Sequence, residues 1–95
     1  MHVVVRTYSG KGAKEAFDII EKNKADVEKV LRSVKGFVGY SIARTADGGF
    51  SMTICRDKAG TDESNEKAKE WLKQNTSKTG ISAPEVKEGS VILHL

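Results

Sequence analysis

Ala46-Asp47-Gly48-Gly49 is the segment that most limits what this chain can fold into. Asp-Gly and Gly-Gly adjoin there, between two stretches rich in aromatic and β-branched residues. Tight hairpin turns need positive φ, which glycine supplies, so this is the strongest short signal for two antiparallel neighbours. Phe37 to Thr45 and Phe50 to Arg56 are therefore predicted to pair. On both sides of this hairpin the apolar period lengthens from two to about 3.6 residues, the mark of a helix.

Upstream, Ala13, Phe17, Ile20, Val27, Leu31 and Val34 recur at three-, four- and seven-residue steps. They form one apolar stripe, predicting a single helix over 13–34 that is roughly 30 Å long. Pairs such as Lys24/Glu28 and Glu28/Arg32 place opposite charges four apart. Gly36 follows as a left-handed cap. His2 to Tyr8 precedes that helix with strand composition. Downstream, Thr61 or Asp62 is the predicted cap of a second helix, on which Ser64, Ala68, Trp71, Leu72 and Asn75 share a face. Thr76 to Gly80 closes it, and Val86 to Leu95 reads as a last strand. The order is β-α-β-β-α-β over residues 1–95, a single domain. It predicts an α+β, ferredoxin-like fold: a four-stranded antiparallel sheet with two helices on one face.

Two helices cover only one face of such a sheet. The other should carry Lys and Glu if it met water. In the second strand Val38, Tyr40 and Ile42 share one parity, and in the third Phe50, Met52 and Ile54 do. These bulky residues are assigned to the helix side. That leaves Ser41, Thr53 and Cys55 outside, small and uncharged, where a second subunit would cover them in a two-fold homodimer.

Charge and cysteine content exclude several classes. Sixteen basic residues stand against thirteen acidic ones, a net +3, and the excess is spread along the first third of the chain. Nucleic-acid binders show a denser basic stripe, so no nucleic-acid partner is expected. Lys35-Gly36-Phe37 matches only the start of an RNA-recognition signature, and on the second strand rather than the third. No apolar run approaches the roughly 20 residues that span a bilayer, so no membrane partner is expected either. Cys55 is the sole cysteine, which precludes an intrachain disulfide and fits a reducing, cytoplasmic setting.

Within this topology Gly36-Phe37-Val38-Gly39-Tyr40 resembles the Gly-aromatic-x-x-Tyr opening of the second strand in small proteins related to antibiotic-biosynthesis monooxygenases. These belong to the dimeric α+β barrel superfamily. Cys55-Arg56-Asp57-Lys58-Ala59-Gly60 resembles the strand end and Asp-containing turn before their second helix. The resemblance implies two sheets packed as a barrel, with a small-molecule pocket between each sheet and its own helices. It also implies cofactor-independent oxygenation of a small aromatic or polyketide-like compound. The alternative is a non-enzymatic small-molecule-binding or stress-associated dimer. The heme-degrading branch relies on an Asn in the first strand and on a Trp and a His near the second helix. Here Trp71 alone is present.

Tyr40, Trp71, Met52 and Arg6 are the residues selected for the pocket. Tyr40 and Trp71 each offer an apolar body with one polar handle, though plain core packing is the commoner role for both. Arg6 sits between Val5 and Thr7 and can pair with an anionic group, since guanidinium binds carboxylates through two parallel bonds, although a surface salt bridge is the commoner role of such an arginine. No catalytic residue is assigned. His2 and His94 fall on neighbouring strands but lack a third ligand, so no metal or other cofactor is expected. Cys55 has no activating His or helix start aimed at it and reads as a buried or interface thiol.

Overall fold

The computed structural model describes residues 1–95. Strand β1 (His2–Ser9) runs into helix α1 (Ala13–Lys22) and helix α2 (Lys24–Arg32). Strands β2 (Phe37–Thr45) and β3 (Gly48–Cys55) form the hairpin, with Ala46-Asp47 as its two-residue loop. Helix α3 (Lys58–Thr76), a 3-10 turn (Ser77–Thr79) and strand β4 (Glu85–Ser90) complete the chain. The sheet order is β2-β3-β1-β4, all antiparallel. This is the ferredoxin-like arrangement expected from the order of elements.

The long first helix is broken. Asn23 leaves helical geometry at φ −120° and ψ 30°, and its side-chain amide donates to the Ile19 carbonyl at 2.7 Å. Asparagine competes for nearby backbone groups in this way, which favours helix ends over helix interiors. Beyond the break, Val27, Val30 and Leu31 of α2 line a cavity described below. The second helix begins earlier than expected. Asp57, not Thr61 or Asp62, is its cap, accepting from the Gly60 N–H at 3.0 Å. Strand β4 ends at Ser90, and Ile92, Leu93 and Leu95 are fully or largely exposed.

The pleat of β3 is opposite to the one expected. Ser51, Thr53 and Cys55 are buried, and Phe50 and Met52 stand 40% and 37% exposed. The register fixes the faces. Thr53 lies opposite Val4 and Tyr40, and Ser51 opposite Arg6 and Ile42, all on the helix side. Met52 lies opposite Val5 and Ser41 on the outer side. Thr53 and Cys55 therefore do not belong to the outer face, and Met52 does not belong to a pocket under the helices. Ser41 alone of the three expected outer residues is on that side, exposed at the surface. Val38 is also displaced, 37% exposed at a bulge between Phe37 and Gly39.

Close approach explains the small residues inside. Gly60 lies in the first turn of α3, where an added Cβ would sit 2.7 Å from the Cys55 Cβ and 2.9 Å from the Lys35 carbonyl. Only small groups on β3 let the helix start come this near. At the hairpin end Gly49 does the same for α1, since a Cβ there would overlap the Phe17 ring. The main apolar cluster, Tyr8, Ala13, Phe17, Ile20 and Trp71, fills the space between sheet and helices beyond these contacts.

Candidate functional site

Alternation along β1 sends Val4, Arg6 and Tyr8 to the helix side, and all three are buried. Arg6 retains only 3% of its surface. Its Nε–H donates to Ser51 Oγ at 3.1 Å. One terminal nitrogen, Nη1, donates to Asn65 Oδ1 at 2.7 Å and to Ser64 Oγ at 3.4 Å. The other, Nη2, donates to Thr53 Oγ1 at 2.8 Å. The hydroxyls that β3 turns inward are thus the acceptors for this guanidinium. Every one of these acceptors is neutral. The chain's ion pairs all involve other residues, so no carboxylate lies within salt-bridge distance of Arg6.

Arg6 stands at the junction of two hollows. The inner one has a volume of about 30 Å³ and is walled by Tyr8, Tyr40, Ile42, Trp71 and residues of α2. That is room for a single water-sized group. The outer one is a cleft of about 520 Å³ between α3 and the segment from Ser77 to Val86. Arg6, Tyr8 and Leu72 border both. Asn65, Glu66, Lys69 and Lys73 from α3 form one wall of the cleft, and Ile81, Pro84 and Val86 the other.

Tyr8 stands at this junction, and Tyr40 on the wall of the inner hollow. Burial pushes both phenols above their ordinary pKa, and the nearby Arg6 charge opposes that rise without cancelling it. Both hydroxyls therefore stay protonated at neutral pH. Tyr8 packs edge-on against Phe17 with ring centroids 5.8 Å apart, which fixes its ring. Trp71 is held by its indole N–H, which donates to Asp26 Oδ2 at 2.7 Å and ties α3 to α2. Its polar handle is occupied, so it offers the cavity an apolar face.

The selected residues fall into two groups. Arg6, Tyr40 and Trp71 are brought together around the inner hollow, whereas Met52 is on the far face of the sheet. Tyr8 and Asn65 were missed. Tyr8 was legible, because it lies two residues after Arg6 in a strand and must share its face. Asn65 was not, because its partner Arg6 lies 59 residues away on β1.

Cys55 is enclosed beneath Gly60. Burial pushes its thiol up, and the Asp57 and Glu63 charges add to that, so it is a poor nucleophile at neutral pH. His2 lies 2.8 Å from the Glu88 carboxylate. Hydrogen bonds with His2 and then Lys58 hold that carboxyl below its ordinary pKa. His94 is exposed in the segment after β4. No three His, Cys, Asp or Glu side chains are grouped to hold a metal ion. No helix is long and apolar enough to cross a membrane.

No family model and no curated protein matches the sequence. Solved structures do match the fold. A monooxygenase from Streptomyces coelicolor, ActVA-Orf6, determined in complex with nanaomycin D, superposes with a TM-score of 0.70 at 15% identity, over 99% of this chain and 89% of that one. The heme-degrader MhuD from Mycobacterium tuberculosis, with two hemes in its active site, gives 0.68 at 16% identity, over 100% and 99%. SnoaB, a cofactor-independent oxygenase from Streptomyces nogalater, gives 0.54 at 17% identity, over 99% and 93%. The chain thus has the ferredoxin-like α+β fold of the antibiotic-biosynthesis monooxygenase-like proteins. At these identities the shared property is the fold.

Proposed function

We propose that the protein binds a small aromatic compound between its sheet and its helices and oxidises it with molecular oxygen, without a cofactor. The observation that supports this most is the site itself: an aromatic-walled hollow joined to a 520 Å³ cleft, with Arg6 and the protonated Tyr8 phenol at the junction. Structures of the same fold include a monooxygenase solved with the ligand nanaomycin D and a cofactor-independent oxygenase. In the reaction a ring CH2 flanked by aromatic rings becomes a carbonyl. One oxygen atom of O2 enters the carbon, and the other leaves as water with both hydrogens. The chain's part is to orient the ring in the cleft against Leu72, Ile81 and Pro84, to exclude bulk water, and to offer hydrogen bonds from Tyr8 and Arg6.

The working unit in this proposal is a two-fold homodimer formed through the outer sheet face. That face carries Phe50 and Met52 exposed, with Val3 and Val5 beside them half-buried. A contiguous apolar surface of this kind marks an interaction site. A cytoplasmic setting fits the sole cysteine being a buried free thiol.

A second reading is favoured by one specific feature. The inner hollow contains no histidine or carboxylate that could take a proton from substrate. In that reading the protein is a binding module without turnover. Oxygen-electrode assays with anthrone-like and quinol compounds, run beside quenching of the Trp71 fluorescence, separate the two. Uptake with product formation is the expected result. Quenching without uptake would establish the binding module, and neither signal across the panel would overturn both.

A further inference from the structure

Arg6 is a full positive charge, nine-tenths and more buried, surrounded by hydroxyls, an amide and phenols. A buried cation is stable only when an anion or a complete set of strong acceptors replaces its lost hydration. Here the acceptors satisfy four of its five N–H groups and supply no charge. One of the four bonds, to Ser64, is long at 3.4 Å. Two lysines, Lys69 and Lys73, flank the approach through the cleft, against one carboxylate there, Glu66. The local balance is therefore positive from the cleft mouth to the buried end.

Resting on the reading of this cavity as a ligand site, we infer that the natural ligand is an aromatic carboxylate whose acid group pairs with Arg6. The charge count selects the group. A single guanidinium neutralises a monoanion, whereas a phosphate dianion would keep excess charge in an apolar enclosure. The fork of Arg6 selects it further. A carboxylate can take the remaining N–H of Nη2 in place of the neutral phenols beside it and displace the neutral Asn65 amide from Nη1, giving two parallel charge-assisted bonds. Asn65 is half-buried at the cleft wall and can turn away into it. The rest of the ligand then lies along Leu72, Ile81, Pro84 and Val86, an apolar surface suited to a flat ring. The lysines draw the anion in, and Arg6 holds it.

Calorimetry with 2-naphthoate and 2-naphthamide, which share one ring system, tests this directly. The wild-type protein should prefer the acid by on the order of 100-fold, as expected when a buried charge pair is lost from a complex. Arg6→Met should abolish that preference by weakening the acid alone. Lys69→Gln with Lys73→Gln should keep most of it while reducing its dependence on salt. Circular dichroism establishes that each variant is folded, and the wild-type comparison requires no variant. Equal binding of acid and amide would overturn the inference and leave the cavity as a ligand site. A preference retained in folded Arg6→Met would overturn Arg6 as the anchor. Binding of neither compound would overturn the ligand-site reading and this inference with it.

Discussion

Replacing Met52 with lysine should split the proposed homodimer and leave the subunit folded. In the single chain Met52 keeps 37% of its surface and Phe50 40%. Complete burial of such a side chain contributes about 1.5–3 kcal/mol, so the exposed remainder of each is worth about 0.6–1.2 kcal/mol when covered. Two-fold symmetry counts every residue twice. The two pairs together then contribute about 2–5 kcal/mol to association. Met52→Lys removes its own share and places two ammonium groups in the interface. Each costs about 1–3 kcal/mol after its stem has bent toward the edge. The sum, about 3–8 kcal/mol, raises the dissociation constant at least ~100-fold. Sedimentation over a concentration series reads this shift, and Met52→Leu serves as the apolar control that stays dimeric. A Met52→Lys protein that is folded and associates as tightly as the wild type would refute the assignment of this face.

Thr53→Lys should unfold the subunit rather than dissociate it, since Thr53 is wholly buried beside Arg6. The milder Thr53→Val leaves Nη2 without that acceptor and should cost about 1–3 kcal/mol in urea unfolding; an unchanged midpoint would show the bond to be dispensable. Gly49→Ala forces a methyl into the Phe17 ring and should cost about 1–3 kcal/mol by the same assay. Trp71→Phe loses the bond to Asp26 and should cost about 1.5–3 kcal/mol, with full recovery of stability excluded. Both tyrosine pKa values are raised by burial, so the stability they contribute is complete below the ordinary phenol range and is lost as pH rises through the folded-state values. Tyrosinate absorbance should therefore appear only above that range, and Arg6→Met, which removes the lowering influence, should delay it further. Titration of either tyrosine at its ordinary value would contradict the burial described.

The order of elements was legible because each carries a local cause: the Asp-Gly-Gly hairpin, the stripe from Ala13 to Val34, and the polar close at Thr76. The interruption at Asn23 was hidden because the apolar stripe continues across it. The face assignment failed at β3 for a different reason. Alternation shows which residues share a side, and bulk then seems to say which side is inside. Here Phe50 and Met52 are outside because the inner face must admit Gly60 and supply hydroxyls to Arg6. The first demand depends on how α3 docks on the sheet, and the second on β1, with Arg6 lying 45 residues before Ser51. Tyr40 and Trp71 could be selected as amphipathic aromatics, and Arg6 as a guanidinium within a strand. That their side chains converge, and that Arg6 has no carboxylate partner, follows only from how α3 docks on the sheet.

The most direct test of the site is the side-chain Nε–H resonance of Arg6. Of the four arginines only Arg6 is buried, so its resonance alone should resist exchange with solvent. Adding 2-naphthoate should move that resonance progressively to saturation, whereas 2-naphthamide should leave it nearly in place. A resonance that exchanges as fast as those of Arg32, Arg44 and Arg56, or that stays still at saturating acid, would contradict a buried cation held ready for an anionic ligand.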